Sequence, residues 1–204
     1  MGIYAERIFP TLLDLVMDQA RLESYRGEAA ADAAGTVLEI GIGSGLNLPH
    51  YSPAADRIVG IDPSARLLSL AAARAERAGR TTALIRGGAE SLPLADRSVD
   101  SVVVTWSLCS IADPHAALAE MRRVLVPGGR LHFVEHGQSP DPWVRRIQNG
   151  LTPWWRTVAC GCHLNRKIDD VIETGGFRIG GLRTGYMQGP RFLTYLYRGW
   201  AEPY

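Results

Sequence analysis

Three glycines two residues apart, Gly41, Gly43 and Gly45, directly follow the apolar run Val-Leu-Glu-Ile, and Asp62 comes seventeen residues after the last of them, in Val-Gly-Ile-Asp-Pro. Glycine leaves no side chain where a chain must turn sharply and approach a ligand, so the amides of such a turn can point at a bound group. A carboxylate at the end of the next strand can accept both hydroxyls of a ribose. Together they fit a nucleoside-bearing cofactor. The spacing narrows the choice. A dinucleotide fingerprint, G-x-G-x-x-G, would put its third glycine at position 46, which is Leu46; here Glu39 precedes the first glycine and the order is E-x-G-x-G-x-G.

The other chemistry-bearing residues gather late in the chain. His136 closes Val134-Glu135-His136, and an imidazole with an ordinary pKa near 6.5 could take a proton from a thiol or hydroxyl near neutral pH. A purely packing role stands beside that reading. Cys160-Gly161-Cys162-His163 invites a metal. Zinc, however, prefers C-x2-4-C pairs, and C-x-C with an adjacent His serves one tetrahedron awkwardly, so no metal is expected. Cys109 reads as a small buried apolar residue, His132 as structural, and His50 and His115 as surface residues.

These residues need elements to hold them. Strand patterns at 36–40, 58–61, 82–85, 99–105 and 130–135 alternate with a short helix after Asn47 and helices at 64–78 and 114–124. Continuous apolar runs such as Val102-Val103-Val104 indicate a parallel sheet covered on both faces. A helix at about 166–175 and strands near 177–184 and 191–200 complete the chain, the last two as an antiparallel pair. Ahead of the sheet, Leu12, Leu13, Val16 and Ala20 share one face of an amphipathic helix beginning near Pro10, within an N-terminal segment 1–30. It reads as a lid, because its polar face carries both signs of charge; a surface-binding helix is the other reading. Residues 138–165 hold Trp143, Trp154 and Trp155 among Pro140, Pro142 and Pro153, and read as an aromatic insert over the substrate side of the site.

With 204 residues, the chain is expected to form a single domain spanning 1–204 and to bury roughly 70% of its unfolded surface. Lys plus Arg is 22 against Asp plus Glu 21, so the net charge of +1 offers no electrostatic case for nucleic acid as partner. No run approaches a membrane span and no signal peptide is visible, which makes a cytoplasmic location the expectation, with peripheral membrane contact left open. Three cysteines are too few and too odd for a disulfide framework.

The E-x-G-x-G-x-G run with Asp62 resembles motifs I and II of the class I methyltransferases that use S-adenosylmethionine. That resemblance implies a Rossmann-like α/β sheet of seven strands with an antiparallel C-terminal pair, and S-adenosylmethionine as cofactor. Glu39, Gly41, Gly43, Gly45, Asn47, Asp62 and Pro63 would then hold the donor. Gly87-Gly88-Ala89-Glu90, followed by Leu92-Pro93, resembles the adenine-side loop of the quinone-type members, although Gly88 stands where an acid usually precedes the alanine. Ala89 and Glu90 would face adenine, and Thr105 and Ser107 the methionine part. No Asn/Asp-Pro-Pro-Tyr follows the strand at 99–105, which argues against methylation of nucleic-acid amino groups.

A narrower resemblance, to the membrane-linked small-alkyl-thiol S-methyltransferases and their soluble bacterial relatives, runs from about Tyr4 to Ala201. It is carried by Ser107-Leu108-Cys109-Ser110-Ile111, Val134-Glu135-His136 and Gly161-Cys162-His163-Leu164-Asn165-Arg166. It implies a small apolar acceptor, a thiol first; His136, by its place after the strand at 130–135, is the catalytic candidate, and Cys109, Trp154, Arg166 and Tyr186 are the residues expected to shape the acceptor pocket. The animal members have a hydrophobic N-terminal anchor, whereas this chain starts at its amphipathic helix. The rivals are a quinone, phenol or phospholipid methyltransferase and, from another class, a non-catalytic cofactor-binding subunit.

Overall fold

The computed structural model describes residues 9–204; the first eight residues of the expected lid, with Tyr4 among them, lie outside the described residues. Strands β1 (Gly35–Ile40), β2 (Ala55–Asp62), β3 (Thr82–Arg86), β4 (Val99–Thr105), β5 (Leu125–His136), β6 (Phe177–Tyr186) and β7 (Tyr195–Pro203) form one sheet. Their order is β3-β2-β1-β4-β5-β7-β6. The first five run parallel, and β7 inserts antiparallel between β5 and β6. This is the α/β architecture, with its antiparallel C-terminal pair, that the strand pattern and the resemblance led us to expect. Val102, Val103 and Val104 are fully buried because helices cover both faces of the sheet's centre.

Helices α3 (Ala65–Ala78) and α4 (Pro114–Val124) start where their caps dictate. The Ser64 hydroxyl accepts the Leu67 N–H, and the Asp113 carboxylate accepts those of His115 and Ala116. From β1 the chain winds outward through β2 to β3, then returns to β4 on the other flank of β1. The crevice outside the C-terminal ends of β1 and β4 is therefore the topological switch point, where open α/β sheets take ligands.

Three expectations are corrected. The N-terminal segment is two helices, α1 (Phe9–Met17) and α2 (Ala20–Ala30), broken at Asp18-Gln19. The apolar face of α1 turns outward, with Leu12, Leu15 and Val16 exposed, while its polar side pairs Asp14 with Arg74 of α3 at 2.9 Å. Leu22, Arg26, Ala29 and Ala30 of α2 supply the buried contacts instead. Within the expected insert, Pro142–Val158 is a continuous helix, α5, anchored by the buried Gln148, whose amide donates to the carbonyls of Gly137 and Phe192 and whose oxygen accepts the Ser139 N–H. Trp143 and Trp154 stand on its outer side, 54% and 65% exposed, and do not roof the sheet. Finally, the strand expected at 130–135 begins earlier, at Leu125, and Pro127-Gly128-Gly129 forms an irregularity inside it.

Candidate active site

Gly41, Gly43 and Gly45 all have positive φ (64°, 56° and 81°), a region that side chains disfavour. A Cβ on Gly41 would lie 2.1 Å from Ser107 Oγ, so the tip of β1 can meet the tip of β4 only without a side chain there. The loop closes against Asp62, whose Oδ2 accepts the Gly43 N–H at 3.1 Å and whose Oδ1 accepts the Ser64 N–H at 2.8 Å. Burial pushes the Asp62 carboxyl above its usual range, and these two amides oppose the push. Each oxygen accepts one N–H and so retains one further acceptor position, which leaves the carboxylate chemically able to accept hydroxyls as well as to hold the loop. Pro63 carries the chain away from it, exposed, with its carbonyl accepting Arg86 Nε.

Glu39 and Asn47 are placed differently from donor ligands. Glu39 is buried, accepting Asn47 Nδ2 at 2.9 Å and the Tyr51 hydroxyl at 2.8 Å. Asn47 Nδ2 also donates to Thr105 Oγ1, and its Oδ1 accepts Arg26 Nη1 at 3.0 Å. This network braces the glycine loop from below. Arg26 extends it to the N-terminal helices by donating to the Met17 carbonyl and lying 4.9 Å over the Trp106 ring. Sequence reasoning missed Arg26, since nothing in its neighbourhood distinguishes it from a surface arginine. Ala89 is buried and Glu90 half-buried in the loop after β3, on the same C-terminal edge.

Beyond the tip of β4, Glu135 at the end of β5 is fully buried and accepts three successive backbone N–H groups, from Ser107, Leu108 and Cys109. It therefore shapes the loop after β4; the sequence pointed to Val134-Glu135-His136 but not to this task. The loop and the turn after α5 converge on His136. Its Nε2 lies 3.5 Å from Cys162 Sγ, and Trp155, not Trp154, turns inward to donate its indole N–H to that sulfur at 3.4 Å. Hydrogen bonding with Cys109 and the neighbouring imidazole holds the Cys162 thiol well below the ordinary range. Cys160, by contrast, is exposed, and His163 turns toward the Cys109 carbonyl. The contiguous Cys160–His163 run is thus split, and Cys109, His136 and Cys162 meet instead. Arg166 reaches the same loop, donating to the carbonyls of Leu108 and Ile111. Tyr186 does not join them: its hydroxyl donates to Asp141 at the start of α5, and Arg191 covers its ring.

A glycine loop with a strand-end carboxylate, a buried brace beneath it, and sulfur and imidazole groups beyond the β4 tip can hold a nucleoside donor beside a small acceptor. A family described as a methyltransferase domain matches residues 38–133. Thiol S-methyltransferase TMT1B of Rattus norvegicus is 35% identical over 146 residues, 70% of this chain and 59% of that protein, so the match spans about three fifths of the relative's length. Phosphatidylethanolamine N-methyltransferase of Cereibacter sphaeroides is 30% identical over 175 residues, 79% of this chain and 85% of that one. Among solved structures, YcgJ of Bacillus subtilis superposes with a TM-score of 0.66 at 22% identity, covering 82% of this chain and 73% of its own, which speaks to fold. The chain belongs to the class I S-adenosylmethionine-dependent methyltransferases.

Proposed function

We propose that this methyltransferase transfers the donor's methyl group to the sulfur of a small, fairly apolar thiol. The observation that carries the reading is the group beyond the β4 tip: Cys109, His136, Cys162 and Trp155, without an exposed acid among them. Resemblance to a thiol S-methyltransferase over 146 residues supports the same acceptor. The positive sulfonium of the donor is intrinsically reactive, so the enzyme's main task is to align acceptor, methyl carbon and leaving sulfur and to exclude water. Such alignment supplies about 7–11 kcal/mol. Release of S-adenosylhomocysteine across alkyl thiols, aromatic thiols, quinols and phosphatidylethanolamine vesicles tests the reading. Turnover on thiols is expected; turnover on quinol or phospholipid with none on thiols would overturn it while leaving the donor site intact.

A second reading, peripheral work at a lipid surface, is favoured by one observation. Along α5, Trp143, Ile147, Leu151 and Trp154 recur at three- or four-residue spacing and are all exposed, and the helix carries Arg145, Arg146 and Arg156 but no acidic residue. Outward Trp with Arg and no opposing charge suits an anionic membrane interface. Co-sedimentation with phosphatidylglycerol-containing vesicles should be lost in a Trp143→Ser, Trp154→Ser double variant. Equal sedimentation of both proteins, or none by the native chain, would remove this reading.

A further inference from the structure

Cys109, His136 and Cys162 come from three separate segments, the loop after β4, the end of β5 and the turn after α5, yet one donor atom from each lies within 4.8 Å of the others. We propose that these three residues bind one thiophilic divalent metal ion, zinc by their donor chemistry, leaving its fourth position open to the sulfur of the acceptor. The second half rests on the thiol reading; the metal site itself does not.

Distances support the trio. With Zn–S near 2.3 Å and Zn–N near 2.05 Å, a tetrahedron has an S···N edge of about 3.5 Å and an S···S edge of about 3.8 Å. The Cys162 Sγ to His136 Nε2 separation is 3.5 Å. The widest separation in the trio, at most 4.8 Å, would close by about 1 Å on an ion. Two thiolates and an imidazole select zinc over magnesium or calcium, and three protein ligands are the count of a site that keeps a place for substrate.

The surroundings hold the donors in place. The Cys109 N–H is bound to Glu135, and the His163 N–H to the Cys109 carbonyl at 2.9 Å. The turn carrying Cys162 contains Cys160 and Gly161 at positive φ, and a Cβ on Gly161 would press on the Ser110 carbonyl at 3.0 Å. The Trp155 indole N–H donates to Cys162 Sγ, and the Ser110 hydroxyl lies 3.5 Å from Cys109 Sγ, contacts that temper thiolate charge. Arg166, fixed to the neighbouring carbonyls, supplies positive charge for a third thiolate.

The chemistry balances without a further reactant. An acceptor thiol that ligates the ion loses its proton to solvent, its sulfur forms a bond to the methyl carbon, and the sulfonium carbon–sulfur bond breaks. The products are a neutral thioether, a weak ligand that departs, and S-adenosylhomocysteine. His136 then serves as a ligand, with its Nε2 lone pair committed to the ion, and is not the acceptor's base.

The test uses the full chain, reduced with a phosphine and stripped by chelator, then titrated with cobalt(II) and with zinc. One equivalent per chain is expected, with the near-ultraviolet absorption of cobalt–thiolate bonds; Cys109→Ser, Cys162→Ser and His136→Gln should each weaken binding at least about a hundredfold, and Cys160→Ser should not. In the native chain, zinc should shield Cys162 but not Cys160 from alkylation, a readout that needs no variant to fold. Adding an alkyl thiol should shift the cobalt spectrum. No stoichiometric metal in the folded, reduced chain would overturn the site, as would binding that survives Cys162→Ser. A spectrum indifferent to thiols that the enzyme methylates would overturn the open position. Failure to methylate any thiol would remove the acceptor reading, with metal stoichiometry unaffected.

Discussion

Asp62 holds the Gly43 and Ser64 amides and is the residue we propose for the donor's ribose, so its replacement is expected to act on both loop and ligand. Asp62→Ala should weaken S-adenosylhomocysteine binding in calorimetry by tenfold or more, given about 1.5–3 kcal/mol for a hydrogen bond to a charged group. Unchanged affinity in a folded variant would remove Asp62 from the donor site. This residue and the three glycines were legible in the sequence because a backbone forced to positive φ and a carboxylate closing the next strand leave residue types at fixed spacing. Arg26 and Glu135 left no such trace, since their partners are set by tertiary placement. The choice between Trp154 and Trp155 was equally closed. Which of two adjacent indoles turns inward depends on the phase of α5 against the sheet.

At the scale of elements, α2 is tied to the donor loop through one buried side chain. Arg26→Met keeps the stem but removes the bonds to Asn47 Oδ1 and the Met17 carbonyl and the charge over Trp106. A loss of about 2–4 kcal/mol in denaturant unfolding is expected, from a buried amide oxygen left without its donor. Donor affinity should fall with it, because Asn47 also braces Glu39 and Thr105. Unchanged stability and affinity would mean that α2 packs on the sheet without controlling the loop. The sheet strands were readable because burial on both faces writes continuous apolar runs. The break at Asp18-Gln19 was not readable, for neither residue is a strong helix breaker. The prolines of 138–165 do not interrupt α5: Pro142 stands in its first turn and needs no N–H there. Pro153 orphans only the carbonyl of the exposed Asn149.

For the molecule as a whole, two buried glutamates, Glu39 on β1 and Glu135 on β5, couple stability to pH in the same sense as Asp62. Burial pushes each from 4.5 to about 7, against the hydrogen bonds that favour ionisation. A carboxyl whose folded pKa is raised binds more protons folded than unfolded, so its contribution is complete below about 4.5 and is lost as pH climbs through about 7. His50, His132 and His163 act in the opposite sense below 6.5, because burial lowers each of them, and a single melting curve would mix the two effects. Glu39→Gln separates them. The Gln carbonyl can still accept Asn47 Nδ2, and the Tyr51 hydroxyl, now facing an amide N–H, can turn from donor to acceptor. The same exchange at Glu135 would set an amide N–H against backbone donors and is no clean probe. Glu39→Gln should therefore match the native protein near about pH 5 and become the more stable of the two by about pH 8, with a ceiling of about 3 kcal/mol from the interval between 4.5 and about 7. Thermal or denaturant unfolding of both proteins across that range measures the difference directly. A difference that stays flat or reverses would mean that Arg26, acting through Asn47, keeps Glu39 ionised in the fold.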